Sequence, residues 1–113
     1  MTTKIRPPRH LSDESRAWFA SVTKDFELES HHLMILRAAG EAWDRAQQAR
    51  EILKRDGVTF VDRHGHIRPH PATVIERDSK VLFSRLLREL GLDVVEHEPS
   101  RPPMIQGTGQ RAR

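Results

Sequence analysis

From Ser30, suited to cap a helix, to Gly57, suited to a left-handed stop, the sequence holds a single helical pattern, and this stretch dictates most of what the chain can fold into. Residues 31–56 would span ~39 Å at 1.5 Å per residue, long for a protein of 113 residues. Apolar side chains recur at Ile35, Ala38/Ala39, Ala42, Ala46, Ala49 and Ile52/Leu53, close to a coiled-coil spacing. Five of them are alanines, which let another backbone approach closely. Glu41 with Arg45 and Glu51 with Arg55 place acid before base four residues apart, each pair worth ~0.3–0.5 kcal/mol on an exposed face. One side of the helix therefore wants a partner and the other wants water.

The partner lies downstream. Pro71 suits the first position of a helix that runs to Leu90 and stops at Gly91. Ile75, Leu82, Leu86 and Leu90 form its stripe, and Phe83 and Leu87 widen the apolar arc to about 140°, more than one partner helix needs. The surplus predicts a second contact, with another subunit. Between the two helices Val58-Thr59-Phe60-Val61 alternates, Arg63-His64-Gly65-His66 supplies a turn and Ile67-Arg68 returns before Pro69, which reads as a small β-hairpin. Upstream, Ser12 caps a short helix with Asp13 and Glu14 at its positive end and Trp18, Phe19 and Val22 as contacts, ending about Lys24. About three turns long, it cannot stand alone. The expected fold is mainly α: a long antiparallel helical hairpin with a small β-hairpin between its helices, plus a short N-terminal helix packed across it or onto a neighbour, in a protomer that forms rings.

The apolar share of 36%, about 41% with glycine, is below the usual ~45–50%. Either the core is small, part of the chain is unstructured, or another subunit completes the burial. The absence of cysteine excludes disulfides, thiolate metal sites and cysteine nucleophiles. With no apolar stretch at the N-terminus to act as signal or anchor, a soluble protein without membrane contact is expected.

The net charge of +3 is unevenly spread. Residues 1–10 carry Lys4, Arg6 and Arg9 and no acid; residues 99–113 carry Arg101, Arg111 and Arg113 and no acid. All 16 acids lie in residues 11–98, which are net negative. Pro7-Pro8 at one end and Pro99, Pro102-Pro103, Gly107 and Gly109 at the other mark both ends as flexible. The expected organisation is a basic arm (1–10), a helical oligomerisation and DNA-recognition domain (11–92) and a basic tail (93–113). Arginines on such ends either keep them soluble or act as arms for a polyanion, since phosphate contacts release counterions and need no fixed fold.

Other constellations carry weaker signals. His64, His66 and His70 gather around the hairpin and in principle offer a zinc or nickel site, but no fourth ligand has evident spacing, and Asp62 is better explained as a turn residue. A nuclease centre of Asp62, His64 and His66 would be short of carboxylates. His31-His32 follow Glu27 and Glu29, which repel phosphate, so they read as structural. Trp18 and Trp43 read as core or interface residues. No phosphate-binding Gly-Lys-Ser/Thr loop is present, which argues against ATP hydrolysis. A helix-turn-helix would offer Arg37 as the only arginine in the first two turns of its reading helix, so Arg63 and Arg68 on the hairpin are better candidates for phosphate contact.

The order of elements over residues 7–92 resembles the small subunit of tailed-bacteriophage terminase. The resemblance is carried by Pro7-Pro-Arg-His-Leu-Ser12, Trp18, Phe26-x-Leu28, His31-x-Leu33 and the run Ala38-Ala-Gly-Glu-Ala-Trp-Asp-Arg-Ala46. It continues through Asp56-Gly57, His70-Pro71-Ala72 and the close Arg85-Leu-Leu-Arg-Glu-Leu-Gly-Leu92. It implies a non-enzymatic subunit without cofactor or metal, working in the host cytoplasm as a homo-oligomeric ring. Such a ring binds double-stranded viral DNA and presents it to the large terminase subunit, which has the ATPase and nuclease. The chain departs from the commoner plan in lacking a separate helix-turn-helix domain. From charge and placement the expected DNA contacts are Lys4, Arg6, Arg9, Arg101, Arg111 and Arg113, with Arg63 and Arg68 second. The alternatives are a small helical regulatory or adaptor protein that binds another protein, and a histidine-rich metal-dependent nuclease.

Overall fold

The long helical pattern is realised almost to the residue. A computed structural model describes residues 5–92, with helix α2 at Ser30–Asp56 between a short α1 at Asp13–Asp25 and a C-terminal α3 at Ala72–Leu90. Strands β1 (Thr59–Val61) and β2 (Ile67–Pro69) join α2 to α3. Helix makes up 67% of the structure, which places it in the mainly α class.

α2 and α3 run antiparallel. Asp56 meets His70 at the hairpin end, Arg50 Nη1 donates to Glu76 Oε2 at 3.3 Å in the middle, and the Trp43 and Phe83 rings lie 5.1 Å apart further on. Small residues line the pair: Ala39, Ala42, Ala46 and Ala49 are buried on α2, Ala72 and Ser79 on α3. This seam uses close backbone approach in place of bulky side chains, so the hairpin half of the pair buries little apolar volume.

The larger side chains gather at the other end, where α1 crosses. Leu11, Phe19, Val22 and Leu36 form the core, flanked by half-buried Trp18, Leu28, Leu33, Leu90 and Leu92. Fully burying a residue such as Leu36, with no exposed surface, is worth ~1.5–3 kcal/mol. Helix α1 thus packs on its own α2, and Trp18 reaches Phe83 of α3 at 5.6 Å. Leu11 and Phe19 find their burial within the chain, the packing across α2 that is one of the two expected placements.

Two helix starts differ from the sequence reading. The residue before α2 in the capping position is Glu29, not Ser30: its backbone is extended and its N–H donates to Nδ1 of His32 at 3.2 Å. This gives His32 its structural role. At α3, Pro71 is the cap rather than the first helical residue, and His70 supplies the cap bond, its Nδ1 accepting from the Ala72 N–H at 3.0 Å. Both helices stop at the expected glycines, but only Gly91 is left-handed (φ 76°, ψ 13°); Gly57 has φ 88° with ψ 164°, an extended positive-φ conformation open to glycine in place of the left-handed stop expected there.

The stripe expected along α3 is divided by this arrangement. Leu86 and Leu90 are half-buried near α1, whereas Ile75 and Leu82 are exposed, as are Val74 and Val81. No helix among the described residues is long and apolar enough to cross a membrane.

Candidate nucleic-acid interface

The cations singled out by sequence fall into two groups in the described chain. Arg6 and Arg9 precede α1, and both are exposed. Their position is set by the segment after them. Ser12 donates through its N–H and its Oγ to Asp44 of α2 at 2.7 and 2.6 Å, and Ser15 Oγ donates to the same carboxylate at 2.6 Å. Ser12 Oγ also accepts the Ser15 N–H, so one side chain caps α1 and ties it to α2. Partial burial presses the Asp44 carboxyl upward, but the hydrogen bonds from Ser12 and Ser15 outweigh it and leave its pKa below the ordinary aspartate value.

Upstream of that clamp, His10 Nε2 lies 2.7 Å from Glu41 Oε2, and Arg37 Nε is 3.9 Å from the same oxygen. Arg6 lines a shallow groove with Ile5, Pro8, Phe19, Leu33, Met34 and Arg37. Arg37 therefore joins Arg6 in space, a neighbour that no periodicity announces. Neither Arg6 nor Arg9 has an ion-pair partner among the described residues.

The second group is at the hairpin. Val61 pairs with Ile67 and Phe60 with Arg68, and Gly65 at φ 81° lets the three-residue loop close. Asp62 organises the turn: its Oδ1 accepts the N–H of His64 and of His66 at 2.8 and 2.9 Å, and its Oδ2 accepts Arg68 Nε at 2.7 Å. The Arg68 bond, then the His66 amide, hold the Asp62 carboxyl below its usual range. Arg68 is thus already neutralised in part, while Arg63 stands at the tip, exposed and without an ion pair among the described residues. Both strands are solvent-exposed on both faces, with Val58, Phe60, Val61 and Ile67 uncovered.

The histidines do not converge. His70 Nε2 faces Asp56 Oδ2 at 3.1 Å while its Nδ1 caps α3, so both ring nitrogens serve the fold. Hydrogen bonds from Arg55, then His70, hold the Asp56 carboxyl at about 2. The His64 and His66 rings lie 6.3 Å apart at the tip, and among the described residues no three His, Asp or Glu side chains group as metal ligands would.

The two cationic groups lie apart. From Arg37 to Asp56 the axis of α2 covers about 28 Å at 1.5 Å per residue, with the hairpin beyond. The described cations singled out by sequence therefore stand at two separated places on the chain. Lys4, Arg101, Arg111 and Arg113 lie outside the described residues. Comparisons with protein families, with curated proteins and with solved structures return no match to this chain.

Proposed function

We propose that the protein is a non-catalytic, DNA-binding subunit that works as a multimer, of the kind that serves as terminase small subunit in viral genome packaging, handing double-stranded DNA to a large ATPase and nuclease subunit. The observation that carries this reading is the apolar surface that one copy leaves open. On α3, Val74, Ile75, Val81 and Leu82 are 44, 44, 51 and 39% exposed, two pairs seven residues apart on a helix whose other side is already packed. That is the spacing of a second helix-packing seam. Copies joined through it in a closed ring would repeat Arg6, Arg9 and Arg63 around an axis, and cations too few in one protomer to hold DNA would act together. The resemblance of residues 7–92 to the terminase small subunit supports the same assignment.

Light scattering on the purified chain, combined with duplex DNA binding across a salt series, tests it. The expected mass is a multiple of the 13.1 kDa protomer, and Val81→Glu with Leu82→Glu should reduce it. DNA affinity should fall linearly on logarithmic axes with salt, with a slope of about −0.9 per phosphate neutralised. A mass of one protomer, or no DNA retention at low salt, overturns the proposal; the second result alone favours a protein-binding adaptor.

A further inference from the structure

We propose that the pocket between the three helices is a binding site for a methylated ammonium group. Three aromatic side chains from three different helices meet there. Phe83 of α3 lies 5.6 Å from Trp18 of α1 and 5.1 Å from Trp43 of α2, with interplanar angles of 54° and 51°. The rings are therefore tilted walls, not a flat stack, and each is only half-buried. With Glu14 and Ser15 they line a pocket of about 220 Å³. This is below the ~300–1,000 Å³ of pockets that take drug-sized ligands, and suits a single head group.

The electrostatics select a cation. Aromatic faces carry negative charge density, and a cation within about 6 Å of the centroids is attracted to them. Glu14 adds a full negative charge at the rim: its Oε1 accepts the Trp43 Nε1–H at 3.1 Å, which fixes the indole, and its second oxygen has no partner among the described residues. The hydrogen-bond inventory then selects the kind of cation. Ser15 is only 1% exposed, with its Oγ turned to Asp44, so among the lining side chains the Glu14 carboxylate is the one exposed acceptor. A guanidinium brings five donors and a primary ammonium three, most of which would be stripped of water against aromatic carbon. A trimethylammonium group brings none. Its charge is spread over methyl surface that the rings can cover, so it meets both the charge and the acceptor count with no donor left unpaired. The source is either a free choline-like molecule or a trimethylated lysine side chain.

Trp18 and Trp43 are the two tryptophans of the chain, so intrinsic fluorescence reports on the site directly. The full chain is titrated with tetramethylammonium, choline and Nα-acetyl-trimethyl-lysine amide, with 3,3-dimethylbutanol as the neutral isostere of choline and sodium chloride as ionic control. Saturable binding of tetramethylammonium is expected, at least about tenfold tighter than the neutral isostere. The ratio of choline to trimethyl-lysine affinity identifies the source. Glu14→Gln keeps the bond to the Trp43 indole and removes the charge, and should weaken the cations without changing the isostere. Phe83→Leu, with folding checked by circular dichroism, should reduce the preference for charge. Equal binding of isostere and cation, an unsaturated response like that to sodium chloride, or an undiminished affinity in Glu14→Gln overturns the proposal.

Discussion

Replacing Asp44 with alanine is the most informative single change to the fold, because one carboxylate collects three donors from the start of α1. The three losses are unequal. Ser12 is exposed, so its N–H and hydroxyl regain water, and their two bonds account for about 0.5–1 kcal/mol each. Ser15 is only 1% exposed, and its hydroxyl would be left with the Gly40 carbonyl at 3.4 Å, a long bond. A hydrogen bond to a charged group contributes about 1.5–3 kcal/mol, and stranding a buried donor moves the loss toward the upper end. Together these give a destabilisation of about 2.5–5 kcal/mol, a large fraction of the 5–15 kcal/mol typical of whole proteins. At about 4–8 °C per kcal/mol for a domain of this size, Tm should drop by roughly 10–40 °C. Urea unfolding followed by circular dichroism, at one fixed protein concentration so that association contributes equally, measures the difference. Ser15→Ala in the Asp44→Ala background should cost less than it does alone, since its main partner is already gone. A loss under about 0.5 kcal/mol in Asp44→Ala, within the range of ordinary surface substitutions, would refute the idea that this clamp holds α1 in place.

Four further outcomes are expected. Leu36→Ala, which empties the one large core side chain among the described residues with no exposed surface, should cost about 2–5 kcal/mol in the same urea assay. At Gly40 a Cβ would stand 3.0 Å from Leu11 Cδ1, so Gly40→Val should overpack the α1–α2 crossing and cost about 1–3 kcal/mol. Asp44, Asp56, Asp62 and Glu76 all have folded pKa values below their ordinary ones, Asp56 at about 2. Their stabilisation is complete above the unfolded values near ~4 and fades as pH falls through the folded values, so Tm should be flat toward neutrality and decline between about pH 4 and 2. In Asp62→Asn the turn keeps its acceptor while Arg68 loses its counter-charge, and on the proposed function DNA affinity should rise, with a salt slope steeper by up to about one phosphate.

What the sequence disclosed, and what it hid, divides by distance along the chain. Ser12 before Asp13-Glu14, Gly57 and Gly91 at helix ends, and the Asp62–Gly65 turn are decided within a few residues, and each is where local chemistry puts it. The Glu29 cap departs from the Ser30 reading because His32, three residues on, offers the Glu29 N–H an acceptor, and imidazole is seldom weighed as a capping group. The features that shape the candidate sites join residues about thirty or more positions apart. Asp44 with Ser12, His10 with Glu41, and Trp18 with Phe83 have no periodicity to announce them. The stripe on α3 stands between these cases. Its helical spacing was legible, so a surplus of apolar surface could be inferred. Which half would remain uncovered depends on where α1 stops, and that is fixed by Leu11, Phe19 and Val22 packing on Leu36 at the far end from the hairpin. A helix of thirteen residues is about 20 Å long and cannot shelter all of α3. α1 packs chiefly on α2 and reaches α3 through Trp18 and Phe83, so the burial it offers falls at that end of α3 while Val74, Ile75, Val81 and Leu82 stay exposed, a division that the spacing of α3 alone does not disclose.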